Sequence, residues 1–407
     1  MVNRPAPENP RAIGAALMRL LDSGDTAAPG DLAELTPAAL AALDALAAEH
    51  RLQPAFHRLH GSDARIPAAL RESWRSAARA GAIGALFQRR ELLAAVALLR
   101  QHGIEPLILK GGWLAWHVYP EAAMRPLRDF DLLLREDDFI LAIDLLLASG
   151  YTYAWPLDMP IAEIVRIDKS PPPLLTAAGT AFEPHLRAWF PAGRFDYPSP
   201  APDTAAMFAR AVVEGDGLLY PAPADMLAHL IIHAVYSHRL DCGPLLLLDI
   251  DYLVRARAID WPALWTRAHD EGWASAAALV LAMTRDYRGS PIPPLAPREA
   301  ALLPARYAEL TAALMLQDHV SRLSAGFAAA AATGGWRGMI GRLRGETRVA
   351  GLAPVKRETG RGGYLGWALS RVWRTGSALL RRDVRRQARE LAEFNRWLMH
   401  GGSDLRG

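Results

Sequence analysis

The first hundred residues place apolar side chains at helical spacing. The stretch after Thr36 and Pro37, "AALAALDALAAEH", brings alanine or leucine back every three or four positions, and a threonine followed by proline is typical of a helix start. Residues 66–101 continue the same period, and Gly103 follows as a residue that commonly closes helices. The pattern predicts an entirely helical N-terminal region over residues 1–103.

The pattern changes at residue 104. "IEPLILK" is a short apolar run with Pro106 near its start, which favours a buried strand. A short helix is expected from Trp113 to Val118, and "FDLLL" then predicts a second strand. "EDDFILAIDLLLASG" is typical of a helix that ends at Gly150, and "YTYAW" of a further strand. Strands and short helices therefore alternate in the middle of the chain.

A later stretch, "TAFEPHLRAWF", alternates polar and apolar residues as a strand does. Glu183 and His185 fall on one face, and Pro184 falls on the other. Because proline has no N–H, Pro184 predicts a sheet edge or a bulge at this point. From Asp225 onward the period is helical again.

These elements predict an α/β fold with a helical majority, in which a small mixed sheet is flanked by helical regions. The chain is expected to divide into an N-terminal helical region, a sheet-bearing core, a helical domain, a Gly/Arg-rich linker and a basic amphipathic C-terminal helix, at residues 1–103, 104–220, 221–334, 335–363 and 364–407.

Composition narrows the class of protein. A chain of 407 residues that is 51% hydrophobic can bury a sizeable core in more than one domain. A single cysteine, Cys242, excludes a disulfide framework and a Cys-rich zinc module. Neither an apolar signal region after Met1 nor a membrane-length apolar run occurs, so we expect a cytoplasmic protein without a transmembrane segment.

The charge is distributed unevenly. From Trp336 onward the chain carries 16 Lys and Arg against 6 Asp and Glu, whereas the rest has an acidic excess. Such a tail can bind nucleic acid, an acidic membrane surface or an acidic partner protein, or it can be a solvated helix face. Trp367, Trp373 and Trp397 interleave with its arginines. No nucleic-acid motif accompanies the tail, so nucleic acid is possible but not favoured.

Two aspartates on the second strand suggest a metal site. Asp129 and Asp131 are separated by one residue, so on a strand both side chains leave the same face. Converging carboxylates favour a hard divalent cation, Mg²⁺ or Mn²⁺, and two such ions would suit an in-line phosphoryl displacement. Glu183 is the candidate third carboxylate, either as a metal ligand or as a base toward an acceptor hydroxyl.

The residues before these aspartates suggest a phosphate site. Gly111 and Gly112 follow a strand and open a helix, where backbone N–H groups can approach an anion closely. Lys110, one of only three lysines in the chain, adds a compact charge beside them. Arg125 and Arg128 can add planar guanidinium contacts to phosphate oxygens. Together these residues predict a cradle for the triphosphate of an NTP.

Each of these signals has an ordinary structural alternative. A Gly-Gly pair is commonly only a turn, and an Asp-x-Asp pair is commonly a solvated strand end. Trp113 and Trp116 can stack on a base, although their spacing is used more often for helix packing. His229 and His233 lie four residues apart and suggest either a second metal site or buried packing groups. The order of the motifs along the chain favours the functional interpretation for the glycines and aspartates.

The order of these motifs resembles the nucleotidyltransferase superfamily of the DNA polymerase β type, whose signature is a Gly-Gly or Gly-Ser turn, Asp-x-Asp and a later acidic residue. "LKGGWLAWHVYP", "RPLRDFDLLL" and "FEPHLRAW" are more closely similar to an uncharacterised bacterial nucleotidyltransferase-like family, some of whose members occur near lasso-peptide and related biosynthesis genes. The matching positions are Lys110, Gly111, Tyr119, Pro120, Arg125, Asp129, Asp131, Glu183, His185 and His233.

The resemblance implies a sheet of the polymerase β type and a metal-dependent transfer of a nucleoside monophosphate from an NTP to an acceptor, with release of pyrophosphate. Asp129, Asp131 and Glu183 would bind the metal, and His185 would join the residues that hold the nucleotide. The acceptor can be a small molecule, a peptide or a protein. Two other functions stay open: a non-catalytic nucleotide-binding accessory protein in peptide biosynthesis, and an RNA-directed or toxin–antitoxin transferase.

Overall fold

The N-terminal part of the protein is helical. A computed structural model describes residues 10–22, 32, 35–157, 159–189, 204–304, 306–317, 325–326 and 382–399. The first helices are α1 (Pro10–Arg19), α2 (Pro37–Glu49), α3 (Gln53–His60) and α4 (Ala68–Arg100). Thr36 begins α2 as the sequence predicts, because its Oγ1 accepts a hydrogen bond of 3.3 Å from the Ala39 N–H.

The middle of the chain forms a seven-stranded mixed sheet with short helices between the strands. In chain order the elements are β1 (Leu107–Ile108), α5 (Gly111–His117), β2 (Asp129–Leu133), α6 (Glu136–Ala148), β3 (Thr152–Tyr153), α7 (Ile161–Ile167), β4 (Leu174–Leu175), β5 (Ala181–His185), α8 (Thr204–Ala209), β6 (Val212–Val213) and β7 (Leu219–Tyr220). The spatial order is β3-β4-β5-β2-β1-β7-β6. The two central strands, β2 and β5, run parallel.

The apolar face of β2 is anchored in the core by aromatic packing. Phe130 is fully buried, and its ring lies 5.2 Å from that of Phe182 on β5 and 6.1 Å from that of Trp116 on α5. Since side chains alternate along a strand, burying Phe130 turns Asp129 and Asp131 to the opposite face. The core therefore fixes the direction of both aspartates.

The prediction that Pro184 marks a sheet edge or a bulge is wrong. β5 lies between β4 and β2, and its register with β2 is continuous from Ala181 to His185. Proline is tolerated there because β4 pairs only with Ala181 and Phe182, so Pro184 lies beyond the end of the paired β4 segment. The missing N–H of proline thus breaks no ladder hydrogen bond with β4.

The described residues that follow the sheet are mainly helical. They comprise α9 (Pro223–Ile232), which continues into a π-helical turn over His233–Ser237, then α10 (Leu245–Ala256), α11 (Trp261–Asp270), α12 (Ala274–Arg288), α13 (Pro297–Ala300), α14 (Tyr307–Met315) and α15 (Arg382–Met399). The helix α15 buries Phe394 and Trp397, and the Trp397 Nε1 donates a hydrogen bond of 3.0 Å to the Leu302 carbonyl.

The predicted α/β fold with a helical majority is confirmed. The expected linker at 335–363 and the first half of the expected C-terminal helix, with Trp367 and Trp373, lie outside the described residues. The division into domains stays a prediction. None of the described helices has the length and apolar character that a membrane crossing requires.

Candidate functional site

The register between β2 and β5 gathers the acidic residues of the site. Asp131 lies directly opposite Glu183, and Leu133 lies opposite His185. Carboxylate oxygens of Asp131 and Glu183 and a ring nitrogen of His185 all lie within 4.8 Å of one another. Asp129 occupies the same face of β2, two residues before Asp131. The structure thus brings Asp131, Glu183 and His185 together and places Asp129 on the same face beside them.

Lys110 completes this cluster from the end of β1. Its backbone has a φ of 44°, a conformation that non-glycine residues rarely adopt, at the point where the chain turns from β1 into α5. The Lys110 Nζ lies 2.8 Å from Asp131 Oδ1. The His185 Nε2 lies 2.9 Å from the same oxygen and 3.3 Å from Glu183 Oε2. One oxygen of Asp131 is therefore shared by two nitrogen groups.

The pKa values of the two neighbouring aspartates, Asp129 and Asp131, are shifted in opposite directions. Burial would raise the pKa of Asp131, but Lys110 and His185 hold it well below its usual value. Burial raises the pKa of Asp129 to about 6, and the nearby charges of Asp131 and Glu183 add to this. The pKa of Glu183 is lowered, because its contact with His185 outweighs the opposing effect of burial. Ionisation of Asp129 is thus opposed first by burial and then by the two neighbouring carboxylates.

These residues fit a divalent metal ion. Asp131, Glu183 and His185 have ligand atoms within 4.8 Å of one another, and Asp129 lies on the same face of β2. Burial first, and then the charges of Asp131 and Glu183, raise the pKa of Asp129, and a divalent cation would offset both effects. Carboxylate oxygens suit Mg²⁺ and Mn²⁺, whereas the imidazole nitrogen of His185 suits a transition-metal ion better than Mg²⁺. The choice between Mg²⁺ and Mn²⁺ stays a prediction.

The two glycines are needed for close packing. A Cβ on Gly111 would collide with Arg125 Nη1 and Leu127 Cδ2, and a Cβ on Gly112 would collide with Ile108 Cγ2. Neither glycine has a positive φ, so the requirement is steric. Contact of their N–H groups with phosphate stays a prediction.

Arg125 is held by the C-terminal helices. Its Nε and Nη2 donate to Asp249 on α10, at 2.8 and 2.9 Å, and the Tyr119 hydroxyl donates to Asp249 Oδ1 at 2.7 Å. One edge of the guanidinium, formed by Nε and Nη2, is therefore engaged by a carboxylate. Arg128 is exposed and makes no ion pair among the described residues. The predicted phosphate contacts of both arginines stay predictions.

A cavity of about 490 Å³ lies over this cluster, between the sheet and the C-terminal helices. All the predicted site residues except Gly112 and His185 line it. An apolar wall faces them, formed by Trp155, Pro156, Leu157, Met159, Ile164, Pro171, Pro172, Pro173, Leu230, Ala234, Leu245 and Leu246. The volume is in the usual range for a small-molecule site.

Three residues that line this cavity were not expected from the sequence. Arg51 reaches it from the connection between α2 and α3, Lys169 from the segment after α7, and Trp155 from the end of β3. Lys169 is buried, and burial together with the charge of Lys110 lowers its pKa. The scarcity of lysine in this chain was a usable signal for Lys169. Nothing in the local sequence marked Arg51.

The remaining signals have structural explanations. Trp113 is buried and stacks on Tyr220 with the ring centres 6.1 Å apart, so the helix-packing interpretation is confirmed for it. His229 is fully buried, 4.9 Å from the Trp189 ring and 5.6 Å from the His233 ring. Among the described residues, neither histidine belongs to a group with the geometry of a metal site.

Comparison with known proteins gives one finding. The model of a family described as "Uncharacterised nucleotidyltransferase" matches residues 37–289, which is more than half of the chain. The match begins at α2 and ends just after α12, so it includes the sheet, the cavity and the helices that cover it. Searches of curated proteins and of solved structures give no match.

Proposed function

Because the chain belongs to this family of uncharacterised nucleotidyltransferases, we propose that it transfers a nucleoside monophosphate from an NTP to an acceptor and releases pyrophosphate. The observation that carries this proposal is the alignment of Asp129, Asp131 and Glu183 on one face of two paired strands, beside Lys110 and under a cavity of about 490 Å³. Phosphoryl transfer needs carboxylates and cations in this arrangement more than it needs a reactive side chain.

The cavity offers separate surfaces for the triphosphate and for the nucleoside of an NTP. The triphosphate would lie on the cationic side, near Lys110 and Arg128, where N–H donors can meet phosphate oxygens. The nucleoside would lie against the apolar wall, in which Trp155 offers a partly exposed ring. Arg125 would orient this side of the site through its fixed pairing with Asp249.

The reaction forms a bond between the acceptor oxygen and the α-phosphorus and breaks the bond from that phosphorus to the bridging oxygen of pyrophosphate. Glu183 is ionised, because its pKa is lowered, and it would accept the proton of the acceptor hydroxyl. Lys110 would hold Asp131 in its ionised form. Asp129, Asp131 and Glu183 would hold a divalent metal, which supplies neutralisation of the charge on the phosphates.

One observation favours a second candidate, an accessory protein that binds nucleotide without turnover. Asp131 Oδ1 is already shared by Lys110 and His185, at 2.8 and 2.9 Å. A carboxylate compensated in this way needs a cation less than a bare one does. The binding of metal at this oxygen then has to compete with Lys110.

Calorimetric titration of each of the four NTPs, with Mg²⁺ and separately with Mn²⁺, tests the proposal. We expect metal-dependent binding of at least one NTP by the wild-type protein and its loss in the variant Asp129→Asn/Asp131→Asn. Glu136→Gln/Asp137→Asn is the matched control, because it removes two carboxylates at the start of α6 that do not line the cavity.

Three outcomes distinguish the candidates. Binding that survives in the control but not in the Asp129/Asp131 variant supports the transferase site. Binding that is equally tight without metal and in both variants supports the accessory protein. A folded protein that binds no NTP with either metal excludes both nucleotide functions.

A further inference from the structure

Arg51 occupies a position where a helix normally ends with glycine. The helix α2 closes with a Schellman motif, in which the Leu52 N–H donates to Ala47 O at 2.8 Å and the Arg51 N–H donates to Ala48 O at 3.0 Å. The residue after the cap of this motif takes the left-handed conformation, and Arg51 has a φ of 59°. An arginine at this position is strained, whereas glycine or asparagine would not be.

The side chain of Arg51 is held in place but only partly satisfied. Its Nη1 donates to the Pro126 carbonyl at 3.1 Å, a contact between residues 75 positions apart in the chain. Its Nε is buried and has no hydrogen-bond partner among the described residues. The guanidinium lines the cavity over the carboxylate cluster. A buried N–H donor without an acceptor is available to a ligand oxygen.

Apart from the buried Lys169, the lysines and arginines that line the cavity fall into two groups. Lys110 is paired with Asp131, and Arg125 is paired with Asp249. Arg51 and Arg128 have no carboxylate within ion-pair distance among the described residues. Burial lowers the pKa of Arg51 to about 10, and the positive charge of Arg128 lowers it further, so these two guanidinium groups act on each other. The charges of Asp249 and Asp129 act on Arg51 in the opposite direction. Two neighbouring arginines that have no ion-pair partner among the described residues suit the binding of an anion.

We propose that Arg51, together with Arg128, binds the terminal phosphates of the NTP and the pyrophosphate product. This inference rests on the proposed function and adds to it a residue from the N-terminal helices, outside the recognised motifs. Lys110 lies among the carboxylates, where the α-phosphate would react. The two arginines offer the planar, multiple N–H donors that suit the charged phosphates further along the chain of the substrate.

The strain at Arg51 provides a clean test variant. Arg51→Asn removes the guanidinium but places a residue that tolerates the left-handed conformation, so we expect the variant to fold with a thermal midpoint within about 4 °C of the wild type. Arg58→Asn is the matched control, because Arg58 is an exposed arginine on α3 that pairs with Glu121 away from the cavity. Arg128→Gln tests the second arginine.

Calorimetric titration with Mg²⁺ then uses three probes: inorganic pyrophosphate, the NTP that binds best and the corresponding NMP. For Arg51→Asn we expect the dissociation constants of pyrophosphate and NTP to rise about ten-fold or more, because a charged hydrogen bond is lost. The dissociation constant of the NMP, which lacks the terminal phosphates, should be unchanged. Arg58→Asn should match the wild type with all three probes.

An Arg51→Asn protein that binds pyrophosphate and NTP as tightly as the wild type does overturns the inference but leaves the proposed function standing. Unchanged binding of pyrophosphate and NTP is also the result expected if the two arginines bind a phosphate group of the acceptor and not of the NTP. An equal loss for NTP and NMP also overturns it, since Arg51 would then support the whole pocket. A wild-type protein that binds neither NTP nor pyrophosphate overturns the inference and the proposed function together.

Discussion

Two clusters of polar residues, each built around an aspartate, lie beside the same sheet. They differ in how many hydrogen-bond donors their aspartate has. Beside the β6–β7 hairpin, Asp216 accepts hydrogen bonds from the Tyr220 hydroxyl at 2.6 Å, from the Leu218 N–H at 2.9 Å and from Arg89, and it lies 2.7 Å from His117 Nε2. At the start of β2, Asp129 accepts no hydrogen bond from the described residues.

The pKa directions of the two carboxyls follow from this difference. Burial opposes ionisation at both, but the donors around Asp216 hold its pKa below the usual value, whereas the carboxylates beside Asp129 help to raise its pKa to about 6. A satisfied carboxylate ties elements together, and an unsatisfied one is available to a ligand. The first cluster is therefore structural, and the second is where we propose the chemistry.

The largest expected effect on stability comes from removing the carboxylate of Asp216, which has several hydrogen-bond donors. Asp216→Asn should lower the free energy of unfolding by about 2–4 kcal/mol, because Arg89, His117 and Tyr220 lose a shared acceptor in a largely buried position. Urea unfolding at pH 7 measures this. Metal-dependent NTP binding by the folded variant should be unchanged, and a selective loss of binding would show that this cluster belongs to the functional site.

The same comparison has a pH dependence. Since the pKa of Asp216 is lowered in the folded state, its contribution is fully present above the unfolded pKa of about 4 and is lost as the pH falls below it. The stability difference between the wild type and Asp216→Asn should therefore narrow between pH 7 and about pH 3.5. A constant difference would mean that the lost contacts do not depend on the charge.

A smaller loss of stability is expected from a substitution next to the ion pair Arg125–Asp249, which borders the carboxylate cluster of β2 and β5. Gly111→Ala places a Cβ against Arg125 and Leu127, so we expect a destabilisation of about 1–3 kcal/mol from overpacking. Gly84→Ala is the matched control, because nothing lies within 4 Å of that Cβ on α4, and alanine in a helix should stabilise by about 0.5–1 kcal/mol. Urea unfolding of both variants gives the comparison. Equal effects in the two variants would argue against tight packing at Gly111.

The smallest expected change in stability is an increase, where the other substitutions at the two clusters cause a decrease. Asp129→Asn should raise the free energy of unfolding by about 1 kcal/mol in EDTA at pH 7.5, because it removes a carboxylate whose ionised form is unfavourable in the fold. With saturating Mn²⁺ the order should reverse, since only the wild type gains stability from bound metal. A destabilised Asp129→Asn protein in EDTA would place Asp129 in the same structural class as Asp216.

Local patterns were sufficient to predict most of the elements. Thr36 at the start of α2, the apolar run of β1 and the Asp-x-Asp spacing on β2 depend on neighbouring residues only, and the structure agrees with each. The proximity of Asp131 to Glu183 was expected from the resemblance, and the register of β2 with β5 accounts for it physically.

Features that depend on distant pairing were not predictable in this way. Pro184 was expected at an edge because its sequence shows a missing N–H but not the length of the neighbouring strand, β4. The partner of Arg125 is Asp249, 124 positions away, and only the packing of α10 on the sheet reveals it. Arg51 looks like an ordinary polar residue after a helix until its left-handed backbone and its place in the cavity are seen.

The pairing of Arg125 with Asp249 has a consequence for how the chain acquires its pocket during synthesis. The sheet residues that carry the carboxylates emerge from the ribosome well before α10, which supplies Asp249 together with Leu245 and Leu246 of the cavity wall. Contacts of such high sequence separation form late and slowly. A nascent chain that has finished the strands still lacks this wall, so the order of synthesis keeps the pocket incomplete until the helical cover has been made.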